Sequence, residues 1–243
     1  MNPLVQYQQS DAIASIVMDD GKLNIMSVRM LQELHAAFNR AEREADVIIL
    51  TSGRAGIFSA GFDTKILARK DPQETYEMVK LGAELALRVL SFPKPVLGAC
   101  TGHAYPMGAF LLLASDIRIG TDGPFKIGLN EVAIGIPVPS FALELARARL
   151  NPAHFQRTAL TGEMFAPPDA LTAGFFDRVV PTQELRGTAD TFAAALSKID
   201  LPSHASTKAR LRKGAVDAVR KAIDGEITLE LYKRLASAPS GTV

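Results

Sequence analysis

The sequence predicts an α/β fold, with strands that alternate with helices and a helical region at the C-terminal end. Short apolar runs at 47–50, 96–100 and 117–119 have the length of buried strands. Segments with apolar residues at helical spacing separate these runs, and strands joined by crossover helices pair in parallel with right-handed connections. The loops at one end of such strands lie together in space, so we expect a functional site there.

The first part of the chain is predicted to form a hairpin, a helix and a buried strand. Residues 19–22 (DDGK) are a turn signal after an alternating, β-branched run, which predicts short strands around 4–7 and 12–18. Ser27 is a suitable helix N-cap, and apolar residues then recur at helical spacing up to a charged end. The buried strand at 47–50 follows this helix.

The middle of the chain repeats the same unit. Helical spacing predicts an amphipathic helix at about 72–90, which the breaker 92–95 (FPKP) separates from the strand at 96–100. A short helix at 109–114 and the strand at 117–119 come next.

From about residue 139 the pattern is mainly helical. We place a domain boundary near residue 190, between an α/β core at 1–190 and a helical region at 191–243. The elements predicted here are helices at 141–150, 152–160, 168–173, 184–199 and 203–223, with one short strand at 177–180.

The bulk composition narrows the class of protein and of partner. The 243 residues are 47% hydrophobic and 22% charged, as in a soluble globular protein. The net charge of +1, with no run of five or six like charges, argues against nucleic acid or a membrane as the main partner. Cys100 is the single cysteine and the first residues carry no signal sequence, so we expect a cytoplasmic protein with a buried thiol.

The stretch GIFSAGFD at 56–63 leads from a buried strand towards a helix. Gly56 and Gly61 have the spacing of a phosphate-binding P-loop, but Phe62 and Asp63 stand where its lysine and hydroxyl residue belong. A second glycine-rich loop, 101–108 (TGHAYPMG), has the same relation to its strand and helix. Two such loops are able to aim one backbone N–H each at a shared oxyanion, or they are simply tight turns.

A third segment, FKIGLNEVAIGIP at 125–137, contains a glutamate in apolar surroundings. Glu131 stands among Leu129, Val132, Ile134 and Ile136, where a carboxylate is costly unless it is paired or used. Partial burial raises the pKa of a glutamate, which suits a general base near neutral pH. The alternative is an ordinary glutamate in a surface loop. The four histidines lack the spacing of metal ligands, and we predict no metal site.

Taken together, these segments resemble the crotonase, or enoyl-CoA hydratase/isomerase, superfamily from about residue 5 to 212. Asn24 and the strings IFSAGFDTK, GHAYPMGAFLLLASDIRIG, FKIGLNEVAIGIP and ALTGEMFAPPDALTAGFFDRVVP carry the resemblance by their order and spacing. It implies a spiral core of ββα turns and a C-terminal helical region that forms trimers, usually stacked as hexamers. It also implies an acyl-CoA substrate, no further cofactor, and oxyanion donors at the N–H groups of Phe62 and Met107.

The resemblance is strongest to the Δ3,Δ2-enoyl-CoA isomerases. Hydratases of the family use two glutamates, and Phe110 stands at the first of these positions while Glu131 matches the second. The isomerases keep only the later glutamate and have an apolar residue at the Phe110 position. We therefore expect Glu131 to move the proton; the alternatives are an enoyl-CoA hydratase, another thioester reaction, or a non-catalytic acyl-CoA-binding or scaffolding member.

The resemblance also implies where the substrate binds. Backbone at Lys22, Leu23, Ala60 and Gly61 is expected near the adenine and pantetheine, with Lys65 a further candidate. The side chains of Ile66, Phe110 and Ile136 are expected to contact the acyl part of the substrate. Four basic residues late in the chain, Lys208, Arg210, Arg212 and Lys213, either meet phosphates of a neighbouring subunit's ligand or form a solvated helix face.

Overall fold

The structure is a computed structural model that describes residues 2–237, which form ten strands and ten α-helices. The strands are β1 Val5–Ser10, β2 Ile13–Met18, β3 Val47–Ser52, β4 Gly56–Ser59, β5 Val96–Cys100, β6 Gly102–Ala104, β7 Ile117–Thr121, β8 Ile127–Gly128, β9 Met164–Phe165 and β10 Arg178–Val180. The helices are α1 Val28–Glu44, α2 Thr64–Arg69, α3 Pro72–Ser91, α4 Pro106–Ala114, α5 Ser140–Arg149, α6 Pro152–Thr161, α7 Pro167–Ala173, α8 Leu185–Leu196, α9 Leu201–Glu226 and α10 Leu229–Ser237.

The larger sheet has the strand order β1-β2-β3-β5-β7-β10. Its first pair is the predicted antiparallel hairpin, and every other pair in it is parallel, as the sequence predicts for strands joined by helices. Both faces of this sheet are covered. In β3, Ile48 and Leu50 belong to the main core, whereas Val47 and Ile49 belong to a second cluster completed by α8, which explains the continuous apolar run.

A second, smaller sheet was not predicted from the sequence. It has the order β4-β6-β8-β9, with β4, β6 and β8 parallel to one another and β9 antiparallel. Its strands are two to four residues long. The strings GIFS and GHA, which the sequence pattern places in loops, are in fact strands β4 and β6.

The helices form the main core and the C-terminal layer. Helices α3 and α4 pack on each other, and α9 packs on both α3 and α5. The core helix α1 is capped as predicted, since the Ser27 hydroxyl accepts a hydrogen bond from the N–H of Met30. Residue 190, the predicted boundary, lies within α8. Within residues 2–237, no helix has both the length and the apolar character needed to cross a membrane.

Candidate active site

Three segments leave the same edge of the smaller sheet. Because β4, β6 and β8 are parallel neighbours, their carboxyl ends lie side by side. Phe62, Met107 and Glu131 each stand three residues beyond the last residue of their strand. The fold therefore places the three residues that the sequence singled out at one edge, on adjacent segments.

A buried network fixes the first of these segments. The Asn24 side-chain amide donates to the carbonyl oxygen of Phe58 (3.1 Å), and the Ser59 hydroxyl donates to the carbonyl oxygen of Asn24 (2.7 Å). The same hydroxyl accepts the N–H of Gly61 (3.1 Å), whose φ of 87° favours glycine. The backbone that leads into Phe62 is thus held in one conformation. Sequence reasoning missed Ser59, although it lies within GIFSAGFD.

The second segment enters a helix directly. Pro106 is the first residue of α4, so the N–H of Met107 lies in the first turn, where no intrahelical acceptor exists. The Tyr105 N–H donates to the carbonyl oxygen of Ser59 (3.0 Å), and an ideal Cβ on Gly61 would lie 3.8 Å from the Met107 amide nitrogen. The two loops are therefore in contact.

The backbone donors on these loops are unused. Among the hydrogen bonds found for residues 2–237, none is donated by the N–H of Phe62 or of Met107. Met107 has no positive φ, so its side chain does not strain the turn. Two free, fixed N–H groups on contacting loops are the elements of an oxyanion site.

The carboxylate of Glu131 is buried, and one of its two oxygens is unpaired. Its residue is 6% exposed, and Oε2 has no hydrogen-bond partner among the described residues. Burial raises the pKa of Glu131 to about 7, because water no longer stabilises the ionised form. Its backbone is fixed, since the carbonyl oxygen accepts the N–H groups of Ile134 and Ile136. Such a group exchanges protons readily near neutral pH.

The sequence argument for this burial was partly wrong. Of the apolar neighbours of Glu131, Leu129 is fully buried, but Val132 is 42% exposed and Ile134 is 54% exposed. The reason is a short 3-10 turn at Val132–Ile134 that ends at Gly135 with φ 77° and leaves these side chains in solvent. The glutamate is buried while the apolar residues after it are exposed.

Two of the three apolar residues predicted to contact the acyl group belong to the main core. Ile66 and Phe110 are buried, and the ring of Phe110 meets that of Phe141 edge to face with centroids 5.6 Å apart. Phe62 is partly buried against the same core, and Ile136 is half-buried. An apolar ring, rather than a carboxylate, therefore occupies position 110 on α4.

Three of the residues predicted to bind coenzyme A lie at the surface near the first loop. Lys22, Leu23 and Lys65 are exposed. The N–H of Ala60 donates to the carbonyl oxygen of Leu23 (3.0 Å), so the segments 22–23 and 60–61 lie side by side. Their role in binding remains a prediction.

Two of the four basic residues near the C-terminus are buried, whereas the sequence predicted accessible side chains. Lys208 and Arg212 are buried, and their charged groups lie 2.7 Å and 2.9 Å from the carboxylate of Asp116. The predicted solvated face is therefore wrong for this pair, and the phosphate contact stays a prediction, whereas Arg210 and Lys213 are exposed. The pair lines a cleft of about 470 Å³ that does not include Glu131, Phe62 or Met107.

Known proteins with similar sequences and structures share one family. The family model described as Enoyl-CoA hydratase/isomerase matches residues 8–237. Enoyl-CoA delta isomerase 1 of human mitochondria is 29% identical over 229 residues, which cover 92% of this chain and 75% of the relative. A probable enoyl-CoA hydratase of Mycobacterium tuberculosis, EchA17, is 30% identical over 214 residues, covering 86% of this chain and 80% of the relative.

The fold is shared over almost the same range. An apo structure of an enoyl-CoA isomerase from Mycobacterium tuberculosis superimposes with a TM-score of 0.88 and 40% sequence identity, covering 93% of this chain and 98% of that one. The structure of human mitochondrial Δ3-Δ2-enoyl-CoA isomerase has a TM-score of 0.85 and 27% identity, covering 96% and 95%. The chain has the crotonase fold and belongs to the enoyl-CoA hydratase/isomerase family.

Proposed function

We propose that the protein is a Δ3,Δ2-enoyl-CoA isomerase in which Glu131 is the single acid/base. One observation carries the proposal. A buried, unpaired carboxylate at Glu131 stands at the edge that carries the two free N–H groups, while the other position at which hydratases of the family hold a glutamate is Phe110. Two of the similar proteins, one human and one from Mycobacterium tuberculosis, are described as enoyl-CoA isomerases.

The proposed reaction moves one proton and one double bond. The Glu131 carboxylate takes a proton from C2 of a 3-enoyl-CoA thioester. The electron pair delocalises over C2, C3 and C4 and onto the thioester oxygen, which gives a dienolate. The Glu131 carboxylic acid then returns a proton to C4, and the double bond ends between C2 and C3. The reaction consumes neither water nor an oxidant.

The N–H groups of Phe62 and Met107 stabilise the dienolate in this scheme. Both are backbone donors held by buried structure, so little reorganisation is needed when the negative charge develops. Loss of one such donor typically costs about 100- to 1000-fold in rate. The pKa of about 7 for Glu131 matches the need to accept and return a proton at neutral pH.

Hydration is the main competing function, since several of the similar proteins are described as enoyl-CoA hydratases. Adding water to a 2-enoyl thioester requires one group that deprotonates the water and a proton donor for the α-carbon. Phe110 offers neither, because its side chain is apolar and packed against Phe141. A non-catalytic acyl-CoA-binding protein is the third candidate, and it gives no account of the unpaired glutamate.

The acyl-CoA thioester is expected to lie along the first loop. The coenzyme A part passes the paired segments 22–23 and 60–61, with Lys65 nearby, and the acyl part faces Ile66, Phe110 and Ile136. A homotrimer or a hexamer is the expected assembly, and light scattering on the purified chain measures it. Acyl-CoA is the substrate in this proposal, and no other cofactor takes part.

The test is a product analysis of the wild-type protein with 3-enoyl-CoA and 2-enoyl-CoA substrates of several chain lengths. Double-bond migration and hydration are followed separately. We expect migration to exceed hydration by at least about 100-fold, the usual contribution of one general acid or base. If hydration is as fast as migration, the proposal is wrong and a hydratase is supported. If neither substrate is turned over, both the isomerase and the hydratase functions are contradicted.

A further inference from the structure

Helix α3 contains a glycine in its interior that backbone geometry does not explain. Gly82 is buried, and its φ lies outside the left-handed region that favours glycine. Glycine in the middle of a helix costs roughly 0.5–1 kcal/mol relative to alanine. A packing reason for the glycine is therefore expected.

The space beside Gly82 is already occupied. A Cβ atom at this position would lie 2.5 Å from Cε1 and 2.6 Å from Cζ of Phe62, and 3.2 Å from Sδ of Met107. Carbon atoms in favourable contact are about 3.5–4.0 Å apart. The ring of Phe62 and the thioether of Met107 thus fill the volume that a methyl group would need.

Three other helical glycines, in α8 and α9, are not restricted in this way. Gly187, Gly214 and Gly225 have no atom within 4 Å of an ideal Cβ, so alanine fits at each of them. Gly82 differs because two side chains, from loops separated by more than forty residues, meet at its Cα. These are the side chains of the two residues that carry the free N–H groups.

We propose that Gly82 is a positioning residue for the oxyanion site. Because glycine has no side chain, Phe62 and Met107 can pack directly against α3 at Gly82. This packing sets the separation of their two N–H groups. This inference rests on the proposed function. An alanine methyl at Gly82 requires the ring of Phe62 to move by about 1 Å, and Phe62 is packed against the core, so its loop moves with it. Misplacement of about 1 Å is enough to cost about 100-fold in rate.

The test compares four variants: Gly82→Ala, Phe62→Leu, the double variant and the control Gly214→Ala. We expect kcat for double-bond migration to fall about 10- to 100-fold in Gly82→Ala and to stay unchanged in Gly214→Ala. Leucine lacks Cε1 and Cζ but keeps the N–H, so the double variant should be more active than Gly82→Ala. The added methyl group overpacks this contact, so the melting temperature should fall in Gly82→Ala and recover in the double variant. A double variant that is no more active than Gly82→Ala contradicts the proposal. This comparison stays valid even if Gly82→Ala folds poorly.

A second readout separates this inference from the proposed function. Acetoacetyl-CoA forms an enolate that absorbs in the near ultraviolet, and an oxyanion site raises the bound enolate fraction whatever reaction the enzyme catalyses. We expect enrichment with wild type and clearly less with Gly82→Ala. Equal enrichment in both overturns the role of Gly82. No enrichment with wild type overturns the oxyanion site itself and with it the proposed function.

Discussion

The hydroxyl of Ser59 donates a 2.7 Å hydrogen bond to the carbonyl oxygen of Asn24, and both residues are fully buried. Asn24 has a positive φ of 50° and uses its side-chain amide to hold Ser52 and Phe58. A left-handed turn near residue 24 is thus tied to the end of β4. The position of the first proposed oxyanion donor depends on this link.

Replacing Ser59 by alanine should weaken both the fold and the reaction. The change leaves the buried carbonyl of Asn24 and the N–H of Gly61 without partners, which costs about 1–3 kcal/mol of unfolding free energy. We also expect a lower kcat, since the loop before Phe62 loses its anchor. Urea unfolding and steady-state kinetics measure the two effects, with Ser206→Ala on the exposed face of α9 as the control. Unchanged kcat in a destabilised variant contradicts the anchoring role.

Replacing Asp116 by asparagine should destabilise the protein strongly. Lys208 and Arg212 would remain buried without their shared carboxylate, and breaking a buried ion pair typically costs about 3–5 kcal/mol. The exposed pair of Lys213 and Asp217 gives a matched control, because Asp217→Asn should cost less than about 1 kcal/mol. Denaturant unfolding of both variants tests the difference. Equal, small losses would show that the buried network does not contribute as described.

The stability of the protein should respond to pH through Glu131. The folded pKa of about 7 lies above the ordinary 4.5, so folding favours the protonated form. The resulting stability is complete below pH 4.5 and is lost as pH rises to 7. Glu131→Gln keeps a neutral side chain, so its unfolding free energy should exceed that of wild type by up to about 3 kcal/mol above pH 7. Near pH 4.5 the two should agree. A difference that is independent of pH is incompatible with the raised pKa.

The plot of kcat/KM against pH should show a single titration, that of Glu131. A single base must be ionised to take the C2 proton, so kcat/KM for migration should fall about tenfold per pH unit below 7 and level off above it. Initial rates between pH 5 and 9 measure the profile. A bell-shaped profile with a second group titrating near neutrality would indicate two catalytic groups and would contradict the single-base scheme.

Local pattern predicted the long elements well and the short ones poorly. The strand predicted at 47–50 is β3, which shows as a continuous apolar run, and the helix predicted at 72–90 is α3, which is long enough for its helical period to be visible. Strands of two to four residues such as β6 and β8 have no such period. Their conformation is set by pairing with segments far away in the chain, which a single sequence does not reveal. Helix α10 was also missed.

The residues of the candidate site could be predicted from the sequence, but the contacts that hold them in place could not. Glu131 was found as a carboxylate in an apolar segment, and Phe62 and Met107 by resemblance to a family. The buried state of Lys208 was missed because spacing does not tell which side of α9 faces Asp116. The contacts of Gly82 with two distant loops were equally hidden, since they exist only in the folded chain.

The most direct measurement of the central claim is kcat/KM for 3-enoyl-CoA migration in Glu131→Gln, compared with wild type and with Glu230→Gln. Glu230 is exposed on α10, so its variant controls for the loss of a carboxylate elsewhere. We expect Glu131→Gln to lose at least about 100-fold while remaining at least as stable as wild type, and Glu230→Gln to keep full activity. Activity of Glu131→Gln within tenfold of wild type would contradict the claim that this carboxylate moves the proton.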